Sequence, residues 1–139
     1  MEKFVVVEKH FSYKGHDCIC VFNCMGFRCG YVSTKHVVSY SEVDINCHCG
    51  LTFGDVLFKE YEPKEFFYLG FDCGHFCDGV DPELAYKYGL INEQERDSAM
   101  EAFHYLKGLP VRSLEYVENE CKKIVDQLEE KSNEKKNHF

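Results

Sequence analysis

The sequence lacks several features that would mark particular protein classes. It has no apolar run of the roughly 18–20 residues that a membrane-spanning helix needs. The charge at Glu8 comes too early for the apolar segment of a signal peptide. Basic side chains are not in excess, because 24 Asp and Glu outnumber 16 Lys and Arg for a formal charge of −8. Proteins bind long nucleic acids mainly by neutralising phosphates, so we expect a cytoplasmic protein with neither a membrane nor a long nucleic acid as partner.

Known catalytic signatures and the Cys-x2-Cys form of the zinc knuckle are also missing. Nothing matches Gly-x-Ser-x-Gly, a P-loop or His-Glu-x-x-His, and the nine cysteines include no Cys-x2-Cys. An odd number of cysteines without an export signal argues against a disulfide framework. Cys18 and Cys20 have the spacing of side chains on one face of a strand, where free cysteine packs as a small hydrophobe. We therefore expect structural cysteines, no metal, no cofactor and no catalytic residue.

What is present suits one α+β domain that spans residues 1–139. The length of 139 residues and the apolar content of 45% are sufficient for one core. Residues 1–78 are mainly short alternating segments separated by turn residues, which predicts an antiparallel sheet of about five strands. The predicted strands cover residues 4–13, 18–25, 27–33, 43–53 and 65–71.

Residues 79–130 are mainly helical in pattern, with two or three helices after the sheet. Asp81-Pro82 is a helix start, and Gly89 ends that helix. Asn92 begins a capping-box pattern for a second helix that ends near residue 108. Residues 131–139 are polar and are expected to fray. An apolar stripe predicts a third helix that packs on the sheet or on a partner helix, at Leu114, Val117, Cys121, Ile124 and Leu128.

Polar residues within apolar surroundings are the candidates for function. Arg28 interrupts an apolar segment, and Arg112 directly precedes the last helix, where free backbone N–H groups favour anions. For both arginines the alternative is an ordinary surface position. Asp72, Cys73, His75 and Asp78 could form a metal-assisted, acid–base or thiol site. The alternative for that cluster is a polar turn, and we do not expect an enzyme.

Four short segments resemble a family of small phage proteins. They are residues 28–32 (Arg-Cys-Gly-Tyr-Val), 48–53 (His-Cys-Gly-Leu-Thr-Phe), 70–75 (Gly-Phe-Asp-Cys-Gly-His) and 112–117 (Arg-Ser-Leu-Glu-Tyr-Val). The family pattern is Cys-Gly-Tyr-Val, His-Gly-Gly-Leu-Thr-Tyr, Gly-Phe-Asp-Cys-Ala-His-x-Gly-Asp and Tyr-Arg-x-x-x-Tyr-Val. The resemblance spans about residues 27–128, and Gly-Phe-Asp-Cys-x-His is its most specific block.

The segments are similar to those of the phage Thoeris anti-defence sponges. These proteins sequester glycocyclic ADP-ribose, the signal of bacterial TIR enzymes, and some also bind cyclic oligonucleotides. The resemblance implies a homo-oligomer, a dimer or a multiple of dimers, that holds a cyclic nucleotide between subunits in the host cytoplasm without cleaving it. It implies a phosphate contact at Arg112 and pocket positions at Arg28 and His48. Further ligand contacts are expected at Ser113, at Asn92 and at Phe71, whose ring would stack on a base.

The chain also departs from that family. Cys49 stands in place of the first Gly of a Gly-Gly pair, Cys77 replaces a small residue, and Val111 replaces an aromatic one. Residues 79–110 are the least similar segment, so the expectation for Asn92 has the weakest basis. Two other functions stay open. One is a small metal- or thiol-dependent hydrolase that uses the Asp72–Asp78 cluster, and the other is a protein-binding inhibitor that uses the last helix.

Overall fold

A computed structural model describes residues 3–57 and 67–136 of the chain. Within these residues, one five-stranded antiparallel sheet is followed by three α-helices and a short 3-10 helix. The α+β class predicted from the sequence is therefore confirmed. No helix in the described part of the chain is long and apolar enough to cross a membrane. The elements are β1 (Val5–Tyr13), β2 (His16–Asn23), β3 (Arg28–Thr34), β4 (Phe53–Val56), β5 (Phe67–Asp72), α1 (Pro82–Lys87), α2 (Glu93–Ala102), the 3-10 helix (His104–Leu106) and α3 (Leu114–Lys136).

A two-residue turn joins β1 and β2 into a hairpin. Lys14 and Gly15 both have positive φ, 50° and 81°, which is the conformation of a type I′ turn. The twist of this turn matches that of two antiparallel strands, and Tyr13 pairs with His16 directly across it. The turn therefore fixes the register in which β2 enters the centre of the sheet.

The order of the strands is β1-β2-β3-β5-β4, so the chain crosses to the far edge before it returns. β5 pairs with both β3 and β4, and all neighbouring strands are antiparallel. The connection formed by residues 35–52 has to span the width of β5. Its apolar residues Val43, Ile45 and Leu51 pack into the core cluster that includes α3. This connection positions His48.

The strand predicted over residues 43–53 is wrong for most of its length. The structure has turns and irregular backbone there, and only Phe53 belongs to a strand, at the start of β4. Cys49 and Gly50 have positive φ, 54° and 85°, and Gly50 N–H donates to the Cys47 carbonyl at 2.9 Å. This turn interrupts the extended backbone, so the apolar side chains are buried by packing rather than by strand pairing.

Alternate residues of β2 belong to two different core clusters. Cys18 and Cys20 lie in the cluster with α3, whereas Ile19 and Val21 pack with residues of β3 and β5 on the other face. This alternation confirms that cysteines serve as small hydrophobes in the strand. The buried cysteines are Cys18, Cys20, Cys29, Cys73 and Cys121, and all nine are free thiols.

Helix α3 covers one face of the sheet with its predicted apolar stripe. Val117, Cys121 and Ile124 are fully buried, and Leu114 and Leu128 pack at the margins of the same cluster. Gly30 on β3 allows this close approach. A Cβ atom there would lie 2.8 Å from the Cys121 sulfur and 2.6 Å from the Phe71 ring. The sequence allows the stripe to pack either on the sheet or on a partner helix. In the structure it packs on the chain's own sheet.

Several predicted boundaries differ in detail from those observed. Asp81 caps α1, and Asn92 forms a complete capping box with Glu95, as the sequence indicates. α2 ends at Ala102, earlier than predicted, and a 3-10 turn follows it. α3 continues to Lys136, into the segment that was expected to fray. Residues 65 and 66 of the fifth predicted strand, and residues 137–139 of the tail, lie outside the described residues.

Alkylation of the native protein should separate the buried thiols from the exposed one. Burial raises the pKa of Cys18 and of Cys29 to about 12, so at pH 8 only about one in ten thousand of these thiols is ionised. Cys49 is exposed. Partial desolvation and the contact with Cys77 raise the pKa of Cys49 as well, so the separation depends on access to solvent. With a chelator and a phosphine reductant present, iodoacetamide should modify Cys49 well before Cys18 and Cys29, which should react only in denaturant, as read by peptide mass spectrometry. Equal native rates at Cys18 and Cys49 would contradict this packing.

Candidate functional site

A buried carboxylate, Asp78, lies where three distant segments of the chain meet. Its side chain is 0% exposed. It accepts hydrogen bonds from His48 Nε2 at 2.8 Å and from Arg112 Nε at 2.9 Å. The backbone N–H of His75 donates to it at 3.0 Å. We call Asp78 with His48, His75, Arg112 and Tyr116 the Asp78 cluster.

The turn after β5 places Asp78 and brings Arg112 to it. Asp78 N–H donates to the His75 carbonyl at 2.9 Å, which reverses the chain. The next residue, Gly79, donates its N–H to the Pro110 carbonyl at 2.9 Å. A Cβ atom at Gly79 would lie 2.4 Å from the Leu109 carbonyl oxygen, so only glycine permits this contact. The segment before α3 is thereby held against the turn.

His48 links the carboxylate to the first turn of α3. Its Nδ1 lies 2.7 Å from the Tyr116 hydroxyl, and the ring is buried. Because a carboxylate can only accept, Nε2 carries a proton toward Asp78, and a neutral ring accepts from Tyr116 through Nδ1. Both ring nitrogens are therefore satisfied within the cluster.

The hydrogen bonds keep Asp78 ionised in spite of its burial. Burial by itself would raise the pKa of Asp78, but the bonds from Arg112, His48 and the His75 backbone outweigh it, and the pKa lies below its ordinary value. In turn, the hydrogen bond to Asp78 raises the pKa of Arg112. The cluster thus contains a matched anion and cation, with Arg112 still 25% exposed at its side chain.

Arg28 contacts the backbone that carries Arg112 and so holds one side of the Asp78 cluster in place. Glu8 accepts from its Nε and Nη2 at 2.6 and 3.1 Å, which forms a two-pronged ion pair. Its Nη1 donates to the backbone carbonyl of Arg112 at 2.9 Å. Tyr88 also donates to Glu8, at 2.6 Å. Arg28 therefore fixes the backbone at the start of α3.

Four of the six ligand contacts expected from the sequence meet at this place: Arg28, His48, Arg112 and Ser113. Ser113 is the cap of α3, and its Oγ accepts from Tyr116 N–H at 3.1 Å. Phe71 is 1% exposed and lies in the core between the sheet and α3. Asn92 caps α2, which packs on α1. Among the described residues, neither Phe71 nor Asn92 makes a hydrogen bond to the Asp78 cluster.

Sequence reasoning missed the central role of Asp78 and the roles of Tyr116 and Glu8. From the sequence, Asp78 is expected only as a member of a metal-assisted, acid–base or thiol cluster or as a turn residue. The four-residue spacing of Arg112 and Tyr116 at the start of α3 was an available signal. The guanidinium lies 5.2 Å from the centre of the Tyr116 ring. Glu8 carries no signal of its own, since a charged residue on an edge strand is ordinary.

The exposed side of the cluster carries further groups that could contact a ligand or a metal. Phe76, in the turn between His75 and Cys77, is 93% exposed. Ligand atoms of His48, Cys49 and Cys77 lie within 4.8 Å of one another. Two open surface depressions lie elsewhere, of about 530 Å³ along α2 and about 630 Å³ along α3. The first is lined by Asn92 and several acidic side chains, which makes it unsuited to a phosphate.

Replacing Asp78 with asparagine should destabilise the fold strongly. Asp78→Asn removes a charge that Arg112 and His48 both contact, and breaking a fully buried ion pair on one side costs roughly 3–5 kcal/mol. Because Arg112 is 25% exposed, solvent screening lowers the expected cost to about 2–4 kcal/mol. We expect a loss of this size in urea unfolding at pH 7. Asp72→Asn, at the end of β5 and 30% exposed at its side chain, should cost about 1 kcal/mol or less. Equal losses for the two variants would mean that Asp78 does not anchor the site.

Comparison with known proteins identifies no relative for this site. No protein-family model, no curated protein and no solved structure matches the chain. Inferences about function therefore depend on the contacts described above and on the motifs in the sequence.

Proposed function

We propose that this chain binds and sequesters a cyclic nucleotide signal, a cyclic ADP-ribose isomer or a cyclic oligonucleotide, without cleaving it. This is the activity of the phage anti-defence sponges whose motifs its sequence resembles. One observation carries the proposal. Arg28, His48, Arg112 and Ser113 come from three separate parts of the sequence and meet at the N-terminus of α3.

The N-terminus of α3 supports an anion contact. Arg112 uses Nε for Asp78, and a guanidinium has four further N–H donors on its two Nη atoms. These atoms belong to a side chain that is partly exposed, next to the first turn of a 23-residue helix. Unpaired N–H groups and the helix dipole favour a phosphate at such a position.

Phe76 supports a stacking contact with the base. The aromatic contact expected at Phe71 would need an accessible ring, and Phe71 is buried. Phe76 follows five residues later and exposes almost its whole ring beside the Asp78 cluster. An exposed aromatic ring at a phosphate-binding position is a platform for a nucleobase. We therefore assign the stacking role to Phe76.

The contacts of the alternative catalytic cluster support binding rather than catalysis. Cys73 is 1% exposed, and burial raises the pKa of its thiol far above the ordinary value, which suppresses the nucleophilic thiolate. Asp78 already accepts from three donors. A general base needs a free lone pair directed at the substrate, and this carboxylate is fully enclosed.

The packing of α3 also bears on the inhibitor hypothesis. A helix that captures a partner protein needs an exposed apolar stripe. Val117, Cys121 and Ile124 are instead fully buried against the sheet. The observed packing therefore favours a small-molecule ligand over a partner helix at this surface.

The proposed assembly is a homo-oligomer, a dimer or a multiple of dimers, in which a second copy completes the pocket. Within the described residues, the charge of Arg28 is matched by Glu8 and that of Arg112 by Asp78. One copy thus offers little unmatched positive charge for a ligand with more than one phosphate. A second copy would add its own Arg112 and Phe76 and would shield the ligand from water.

Native mass spectrometry with cyclic ADP-ribose isomers and cyclic di- and trinucleotides tests the proposal. We expect one of these ligands to bind and to be released intact after denaturation. Arg112→Lys keeps a charge for Asp78 but loses the forked donor, and it should weaken binding about tenfold or more. Arg96→Lys, at a side chain that is 19% exposed and pairs with Glu83 on α1, is the matched control. A chemically altered ligand would indicate an enzyme, and binding of none would contradict the proposal.

Phe76→Ala separates ligand stacking from stability. Because Phe76 is 93% exposed, its removal should leave the urea midpoint unchanged. Loss of one base–aromatic stack should weaken binding by roughly 5- to 150-fold, as 1–3 kcal/mol implies. Tyr105→Ala, at a ring that is 74% exposed elsewhere, serves as the control in the same titration calorimetry. Equal affinities of the two variants would exclude Phe76 from the pocket.

A further inference from the structure

We propose that Cys49, Cys77 and His48 bind a thiophilic divalent cation such as Zn²⁺. This site goes beyond the proposed nucleotide binding and does not depend on it. The two sulfur atoms lie 3.9 Å apart, although the residues are 28 positions apart in sequence. A ring nitrogen of His48 lies within 4.8 Å of both. The three ligands come from two different turns that the fold brings together.

The distance between the sulfur atoms fits a shared metal. In a tetrahedral zinc site with Zn–S bonds of about 2.3 Å, two thiolates lie about 3.8 Å apart. The observed 3.9 Å therefore needs almost no adjustment. A disulfide needs sulfur atoms about 2.05 Å apart, so the same pair would have to move much closer to form one. The nitrogen of His48 would approach to about 3.6 Å from each sulfur, a shift within reach of a side-chain rotation.

The backbone at Cys49 is a second, independent sign of a role for its thiol. Cys49 has φ 54°, in the left-handed region that side chains other than those of glycine and asparagine rarely adopt. The turn would form more easily with glycine at this position. The side chain is exposed, so core packing does not explain the choice of cysteine. Its sulfur is instead directed to Cys77.

An unsatisfied histidine lies beside the three ligands. Nε2 of His75 is buried and forms no hydrogen bond with any described residue. It lies 3.3 Å from an Asp72 carboxylate oxygen, in an orientation that makes no hydrogen bond. A ring nitrogen in this condition is available to a cation. The ring centres of His75 and His48 are 6.1 Å apart, so His75 offers a further imidazole next to His48 for the fourth position.

The surroundings of His48 suit a metal ligand. Metal-bound histidines commonly donate the N–H of their second ring nitrogen to a carboxylate, which orients the ring. His48 has Asp78 on one nitrogen and Tyr116 on the other. One ring nitrogen would exchange its present hydrogen bond for a bond to the metal, and the other would keep its present partner. The cation would enter from the solvent side, where Cys49 is exposed.

Cobalt titration of the reduced, metal-free protein tests the proposal. We expect one Co²⁺ per chain, with thiolate–cobalt charge-transfer absorption and the intense visible bands of tetrahedral cobalt, both removed by added Zn²⁺. One equivalent of Zn²⁺ should also protect Cys49 and Cys77 from alkylation. Cys49→Gly and Cys77→Ser should each weaken binding by more than about a hundredfold, since loss of second-shell partners alone costs about 10–100-fold.

Cys49→Gly is the sharpest variant, because glycine suits the observed φ at that position. Its urea midpoint should be unchanged or higher, so lost metal binding cannot reflect unfolding. Cys24→Ser, at a partly buried thiol away from these turns, is the matched control and should bind cobalt normally. Cobalt absorption that persists in Cys49→Gly would overturn the proposal, as would a wild-type chain that binds no metal. A Cys49–Cys77 disulfide formed with oxidised glutathione, in a protein that binds no metal, would likewise assign the pair to redox chemistry.

Discussion

The buried carboxylate of Asp78 is the constraint on which the arrangement of this site depends. A charge removed from water is tolerated only when donors replace the lost hydration. Here the donors come from His48, from the His75 backbone and from Arg112. Satisfying one carboxylate therefore fixes the relative positions of the long connection, the turn after β5 and the start of α3. The contact from Arg28 to the Arg112 carbonyl extends the same constraint to the centre of the sheet.

This constraint also limits what the site can bind. A charge-assisted hydrogen bond contributes roughly 1.5–3 kcal/mol, whereas micromolar affinity corresponds to about 8 kcal/mol. Arg112 already shares its charge with Asp78, so one phosphate contact at α3 is far from sufficient. Tight capture of a soluble signal needs base stacking and further phosphate contacts in addition. In the function proposed above, Phe76 and a second copy of the chain are the two sources of such contacts.

The sequence predicts those parts of the fold that local periodicity determines. The alternation in β2 and the 3-4-3-4 spacing in α3 identified the residues that pack between sheet and helix, because each pattern repeats over two or more turns or pleats. The predicted strand at 43–53 failed because apolar residues are also buried in irregular backbone, and the positive φ of Cys49 has no sequence signal when the residue is not glycine. Asp78, Glu8 and the Cys49–Cys77 pair depend on partners at least 20 positions away. A rule based on Cys-x2-Cys spacing cannot detect ligands that lie on two separate turns.

The proposed metal site and the proposed nucleotide site share His48, and this determines how they would be coupled. Binding one divalent cation to two thiols releases two protons, so the local charge does not change. A cation there would not attract a phosphate through added positive charge. Any coupling would pass instead through geometry, since a metal-held His48 ring fixes one side of Asp78 and Asp78 in turn fixes Arg112. Linkage between two binding sites is reciprocal. If the metal strengthens nucleotide binding by fixing Arg112, the nucleotide would strengthen metal binding by the same factor.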